Sequence, residues 1–303
     1  MERISLIINS RNESKPILEA TITRLLTTTA RYATEIIVID DGSSDPIAGL
    51  CQDVRLFRNQ EPIGVSQSRR LGACIATGDV LVWLDAHMTF ADDWLDQMLA
   101  YVESGSLLCS AAWDYNLSTC LCWGVDIGWC AERNYIKGIS PGFIIRHRTS
   151  APLDDAAEVP MVIGSCYMMS RSSYNKLGGF SPLLRVWGHD DVDISIRAWI
   201  SGLGVKCITK AQVGHLYRSR FPYPVYYDHL EFNQLVMIRS IFEESTIQKL
   251  EGYFKPLSAK VRERLENIES DLEKWREEIQ AKRRLDDEEF FRDFAPSIQR
   301  FLL

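Results

Sequence analysis

Residues 80–90 read VLVWLDAHMTF. The apolar run from Val80 to Leu84 has the length and composition of a strand buried on both faces. It stops at Asp85-Ala86-His87. In an extended segment residues i and i+2 point the same way, so a carboxylate and an imidazole project together from the strand's carboxyl end. That ending is expected if the end of the strand is the floor of a binding site.

The neighbouring segments repeat the pattern. RISLIIN (3–9) and EIIVID (35–40) are further apolar strands, and the second runs into the turn cluster DDGSSD (40–45). VRLFRN (54–59) is a third. Ile17, Leu18, Ile22, Leu25 and Leu26 recur at helical spacing after Pro16, which predicts a helix over 16–30. A second helix is expected from Val65 to Gly78, and a third over 91–103, with acids in its first turn. Strands alternating with helices imply an α/β fold with a doubly wound, mostly parallel sheet. Such sheets bind ligands beyond the carboxyl ends of their strands. The polar stretches Asn9–Glu13, Asp40–Asp45 and Asp85–His87 all fall there.

Further on, VIGSCYMMSRSSYNKLGGF (162–180) predicts a strand and a short helix, DDVDISIRAWISG (190–202) a helix, and VKCITKAQVGHLYR (205–218) another strand. Residues 110–160 lack periodicity but carry Trp113, Tyr115, Trp123, Trp129 and Tyr135, suited to stacking on a sugar ring or peptide and equally suited to a core. From about residue 228 the chain reads as helical. Val261, Leu265, Ile268, Leu272, Trp275 and Ile279 follow at spacings of 4, 3, 4, 3 and 4. Fewer than three full heptads favour a helical hairpin packed on the preceding domain, with a homodimer through these helices as the alternative. The expected division is a domain over 1–228 and a helical C-terminal extension over 229–303.

Composition narrows the function. The 303 residues carry a net charge of −7, which speaks against nucleic acid as the main partner. No apolar run reaches the length of a membrane span, and no leader pattern precedes the first strand, so the expected compartment is the cytosol. The eight cysteines are scattered, and Cys120-x-Cys122 is not a zinc spacing, so free and mostly buried thiols are expected.

Four groups carry the candidate chemistry. Asp85 and His87 could share one divalent cation, Mn²⁺ or Mg²⁺, although a lone D-x-H is more often a capping acid beside a structural histidine. Asp40-Asp41-Gly42-Ser43 reads as an Asx turn or as a carboxylate for a nucleobase N–H. Asp190, Asp191 and Asp193 crowd a helix start, more acids than capping needs, and one could act as a general base, with His189 beside them. His215 follows an apolar strand and could complete a set of two histidines and a carboxylate.

Taken together, IINSRNE, IIVIDDGSSD, GVSQSRRLGACIATGDVLVWLDAHMTF, YMMSRSSYNKLGGF, WGHDDVDISIRAW and VGHLYR resemble glycosyltransferase family 2, with features of the polypeptide N-acetylgalactosaminyltransferases. The resemblance implies the GT-A fold, with 1–110 as the nucleotide-binding half and 111–228 as the acceptor half. It implies a UDP-sugar donor and a peptide, glycan or small-molecule acceptor. It also implies residue roles: Asp41 on uracil, with Asn9, Arg11, Glu13, Arg69 and Arg218 around the nucleotide. Asp85, His87 and His215 would hold the metal. The segment from Tyr217 to Tyr227 would be a lid. Asp190-Asp191 stands where inverting members carry an acid-Asp pair, and the retaining N-acetylgalactosaminyltransferases have an amide at the second position. Asp191 as the base therefore implies inversion, while the D-x-H motif and His215 draw toward the retaining group. A nicotinamide dehydrogenase would need a glycine-rich first turn where this chain has NSRNES. A nucleotide-sugar-binding protein without activity is the remaining alternative.

Overall fold

The computed structural model describes residues 3–132, 141–218 and 220–302. In chain order the elements of its first part are β1 (Ile4–Ser10), α1 (Lys15–Thr28), β2 (Thr34–Asp40), β3 (Val54–Arg58), α2 (Val65–Ile75), β4 (Val80–Asp85), β5 (Met88–Phe90), α3 (Trp94–Leu99) and β6 (Leu107–Asp114). Then follow β7 (Cys120–Cys122), β8 (Val125–Cys130), β9 (Gly142–His147), β10 (Ala156–Glu158), β11 (Cys166–Ser170), α4 (Arg171–Leu177), α5 (Asp190–Ile200) and β12 (Val205–His215). The C-terminal part holds α6 (Tyr227–Ile241), α7 (Glu244–Glu251), α8 (Ala259–Glu266), α9 (Glu269–Gln280), α10 (Asp287–Phe294) and α11 (Pro296–Gln299).

The apolar strands do what their composition demands: both faces are covered. Ile4, Leu6, Ile8, Val38, Val82 and Leu84 point to one face and join a core with Leu18, Leu25, Trp94 and Met98 from α1 and α3. Ile7, Ile37, Ile39, Leu81 and Trp83 point to the other and join a core that continues into the C-terminal helices. The strand order is β10-β12-β6-β11-β4-β1-β2-β3. The β4-β1-β2-β3 half is parallel, whereas β11 runs antiparallel to both β4 and β6. This is the mostly parallel, doubly wound sheet of a GT-A fold, with a reversed strand in the middle that the sequence pattern does not announce.

Two predicted helices are shorter than expected. The helix after Gly64 stops at Ile75, because Ala76 is extended and Thr77 donates its N–H to Glu35 instead. Gly78 then passes so close to β1 that a Cβ there would lie 2.7 Å from the Arg3 carbonyl oxygen. The helix read over 91–103 divides into α3 and a single 3-10 turn, Val102–Ser104.

The C-terminal seam is spent within the chain. Val261, Leu265, Leu272, Trp275 and Ile279 are buried in the same core as Phe232, Leu235 and Val236 of α6. The packed-helix expectation holds, and the seam that a homodimer would use is already covered. Trp129 is core rather than a stacking platform, being 3% exposed against Phe143 and Phe254. Trp113 and Trp123 lie partly buried against the same core, and Tyr135 falls outside the described residues. All eight cysteines are free; four are buried, while Cys51 and Cys74 are exposed. Among the described residues no helix is long and apolar enough to cross a membrane.

Candidate metal and nucleotide site

Strand register assembles the site. Asn9 of β1 pairs with Asp85 of β4, and Ser10 pairs with Asp40 of β2, so the polar ends of three strands share one edge. β12 then brings in a residue 130 positions away from Asp85: its end pairs antiparallel with β5, His215 opposite Met88. The backbone bond from Leu216 N–H to the His87 carbonyl, 3.1 Å, locks the two histidine segments together. One ligand atom each from Asp85, His87 and His215 lies within 4.8 Å of the others. His215 Nε2 is 3.3 Å from Asp85 Oδ2, and the two imidazole centroids are 4.7 Å apart.

These residues fit a divalent cation. Octahedral ligands about 2.1 Å from a cation sit about 3 Å apart when cis and about 4.2 Å apart when trans. His87 Nδ1 bonds to Glu13 Oε2 at 2.9 Å, which leaves Nε2 as its ligand atom. His215 Nδ1 is buried with no hydrogen-bond partner. Burial acts to raise the Asp85 carboxyl, but the His215 contact and the Arg69 charge hold it below its ordinary value, so it stays an anionic ligand.

The other expected site residues have partners within the chain. Glu13 is the orienting acid of His87 and also an ion pair of Arg218, at 2.7 Å. Arg69 is almost wholly buried and bridges two acids. Its Nη2 reaches Asp85 Oδ1 at 3.2 Å and the Gly164 carbonyl at 2.9 Å, while Nη1 bonds to Asp190 and to the Tyr167 hydroxyl at 3.0 Å. Asp41 is engaged by the chain's own donors: Oδ1 accepts from Asn59 and from Ile63 N–H, and Oδ2 from Gly64 N–H at 2.9 Å. One lone pair of Oδ2 is left for a base N–H. Asn9 donates to the Val65 carbonyl at 3.1 Å, and its own carbonyl oxygen is buried without a partner. Arg11 lies over the Tyr223 ring, 4.6 Å from its centroid. Asn12 donates to the Pro222 carbonyl at 3.0 Å, so the aromatic segment after β12 rests on the first loop.

Asp190 and Asp191 open α5, and their fates differ. Asp190 is neutralised by Arg69. Among the described residues Asp191 has no ion-pair partner, and it sits behind Gly164, where an added Cβ would lie 3.3 Å from its Oδ2. Burial, reinforced by the charge of Asp190, pushes the Asp191 carboxyl up to about 7. Asp193 is structural, paired with Arg197 in the core. His189 caps the helix in the left-handed region at φ 69, and burial pushes its imidazole down to about 4, so it is neutral. The sequence reading missed Tyr167, which looks like core in an apolar strand, and Asn233, discussed below.

Comparison with known proteins agrees with this geometry. Residues 5–178 match the family described as Glycosyl transferase family 2, and residues 145–220 match the N-terminal domain of galactosyltransferase. Polypeptide N-acetylgalactosaminyltransferase 11 of Xenopus tropicalis is 29% identical over 76% of this chain and 41% of its own length. Polypeptide N-acetylgalactosaminyltransferase 16 of Homo sapiens is 29% identical over 78% of this chain and 43% of its own. The chain thus spans about two fifths of the length of these relatives. Among solved structures, GalNAc-T7 with UDP, GalNAc and Mn²⁺ superposes with a TM-score of 0.76 over 99% of this chain and 58% of that one, at 20% identity. The mannosyltransferase PcManGT from Pyrobaculum calidifontis, with GDP-Man and Mn²⁺, gives 0.52 at 14% identity, over 93% of this chain and 74% of that one.

Proposed function

The chain belongs to glycosyltransferase family 2, and from that premise we propose that it moves a sugar from a UDP-sugar to an acceptor hydroxyl. The observation that carries this reading is the convergence of Asp85, His87 and His215 at one strand edge. Asp85 Oδ, His87 Nε2 and a ring nitrogen of His215 would hold the cation. Mn²⁺ or Mg²⁺ bound there supplies positive charge to a departing diphosphate. Arg218, held by Glu13 beside His87, adds a fixed cation at the same edge. Asn9, Arg11 and the remaining lone pair of Asp41 line the side where the nucleoside would lie.

The base in this reading is Asp191. Its raised pKa, about 7, matches what a general base needs near neutral pH. As the acceptor oxygen attacks the anomeric carbon, Asp191 takes the hydroxyl proton. The bond from that carbon to the diphosphate breaks, its electron pair leaves with UDP, and the configuration inverts. The names of the relatives make N-acetylgalactosamine the first donor sugar and a peptide hydroxyl the first acceptor to try.

The same relatives support a second reading, retention. The two readings separate cleanly by the anomeric configuration of the product, read by proton NMR. The function itself is tested by UDP-sugar turnover with Mn²⁺ across a panel of donors. Turnover that stops with chelator and is lost in His87→Ala supports it. No turnover of any donor, together with no rise in Tm from Mn²⁺ and UDP, overturns it and leaves the alternative of a protein without transferase activity.

A further inference from the structure

The loop that delivers Asp190 and Asp191 to the site has an unusual backbone. Val186 at φ 56, Gly188 at φ 100 and His189 at φ 69 are all left-handed, and only one of the three is a glycine. Side chains disfavour that region, so something outside the loop has to hold it. On one side the Val65 N–H donates to the Val186 carbonyl at 2.9 Å. Gly64 permits that approach: a Cβ there would stand 2.5 Å from the Val186 nitrogen.

On the other side a single side chain does most of the holding. Asn233 lies in the middle of α6 and is fully buried. Its neighbours Phe232, Leu235, Val236 and Met237 are core residues. A carboxamide in such a place costs free energy unless its hydrogen-bonding capacity is used. Among the described residues it is used on the loop alone. The Arg185 N–H donates to Asn233 Oδ1 at 2.8 Å. Asn233 Nδ2 faces the carbonyls of Arg185, Trp187 and Gly188 at 2.8, 3.2 and 3.0 Å. Three of the four residues 185–188 are therefore fastened to one amide. The exposed ring of Trp187 is held out toward Phe221, 4.5 Å between centroids, and α5 begins one residue after His189.

We propose that Asn233 is a positioning residue: its carboxamide fixes the left-handed 185–189 backbone and so sets where Asp190 and Asp191 stand. It touches neither nucleotide nor sugar. Its effect on the reaction rests on the reading above, in which Asp191 takes the acceptor proton; its effect on the loop does not.

The test uses the full chain and Asn233→Ala. Hydrogen exchange by mass spectrometry should quicken in peptides covering 183–191 and stay unchanged in β1, β4 and the end of β12. Misplacing a reacting group by about 1 Å costs on the order of 100-fold in rate, so kcat should fall by roughly 10- to 100-fold. KM for the UDP-sugar and the affinity for UDP with Mn²⁺ should stay at the wild-type values, because that half of the site is built on other strands. Unchanged exchange over 183–191, or a loss of UDP affinity in step with kcat, overturns the proposal. If the wild type turns over no donor, the functional reading fails, while the exchange measurement still decides whether Asn233 holds the loop. If Asn233→Ala does not fold, Asn233→Asp decides, alone and with Val186→Gly. The acid keeps an acceptor for Arg185 N–H but sets an oxygen against three carbonyls. The glycine accepts φ 56 without strain, so the double variant should recover part of kcat and part of the exchange protection; no recovery of either overturns the proposal.

Discussion

Arg69 Nη2 lies 3.2 Å from Asp85 Oδ1. The other arm of the same guanidinium is bonded to Asp190. A candidate metal ligand on β4 and the acid next to the candidate base on α5 therefore share one buried cation. Arg69 has a planar fork that can reach both at once; a lysine ammonium has a single point of charge.

Arg69→Met removes that cation and leaves Asp190 buried without its counter-charge. The expected loss of stability is about 3–5 kcal/mol, the usual cost of breaking a buried ion pair by removing one partner. Arg69→Lys should lose less, since a charge remains. Urea unfolding of the three proteins at neutral pH measures this. A loss under about 1 kcal/mol for the methionine variant would show that the bridge carries little.

Glu13→Gln should weaken Mn²⁺ binding by roughly 10-fold, the lower end for a residue that orients a metal-bound histidine. The amide oxygen can still accept from His87 Nδ1–H, so orientation survives in part while the negative charge is lost. Glu13→Ala should be worse. Calorimetric titration of Mn²⁺ in the presence of UDP gives both affinities, and equal affinity in all three proteins would contradict the assignment.

The pH dependence of transfer should follow Asp191. Its carboxyl is pushed up to about 7, and only the ionised form can accept a proton, so kcat should rise with pH and level off above about 7. Stability should move the other way. A carboxyl whose pKa is raised on folding stabilises the native state fully below the unfolded value, near 3.8, and that contribution is lost as pH rises through about 7. Asp191→Asn should therefore gain thermal stability over wild type as pH goes from 4 to 8, while transfer is abolished. A stability difference that does not change with pH would mean that Asp191 ionises at its ordinary value.

Trp275 is buried beneath two guanidinium groups, Arg70 at 5.8 Å and Arg197 at 5.2 Å from its ring. Trp275→Ala should cost about 3–5 kcal/mol. Because the seam packs on α6 of the same chain, the fall in unfolding midpoint should be equal at low and high protein concentration. A fall that grows on dilution would mean that the seam joins two chains.

The strands β1, β2 and β4 were legible because a strand covered on both faces has to be apolar along its whole length, and few other segments are. Their polar ends were legible for the same reason, since a carboxylate has no place inside such a strand. Asp85, His87 and His215 could be named from residue type and position at strand ends. Arg69 was named as a nucleotide-side residue, and its two acid partners were not foreseen. An arginine on a helix after a turn reads the same whether it faces solvent or turns inward, and its inward partner Asp190 lies 121 positions on. For Asp41, an Asx turn and a base-binding acid use the same atoms, and the chain's own donors to it, from the loop at 59–64, could not be foreseen.

Local chemistry in the chain determined which segments are strands, where they end, and which side chains could hold a cation there. It determined this because burial and periodicity act over a few residues. Tertiary structure decided that β11 runs antiparallel between β4 and β6, that Asp190 is neutralised by Arg69, and that Asn233 holds the loop before them. Those outcomes depend on which distant groups meet in a low-dielectric interior, where a single opposite charge or unmet hydrogen bond outweighs any local preference.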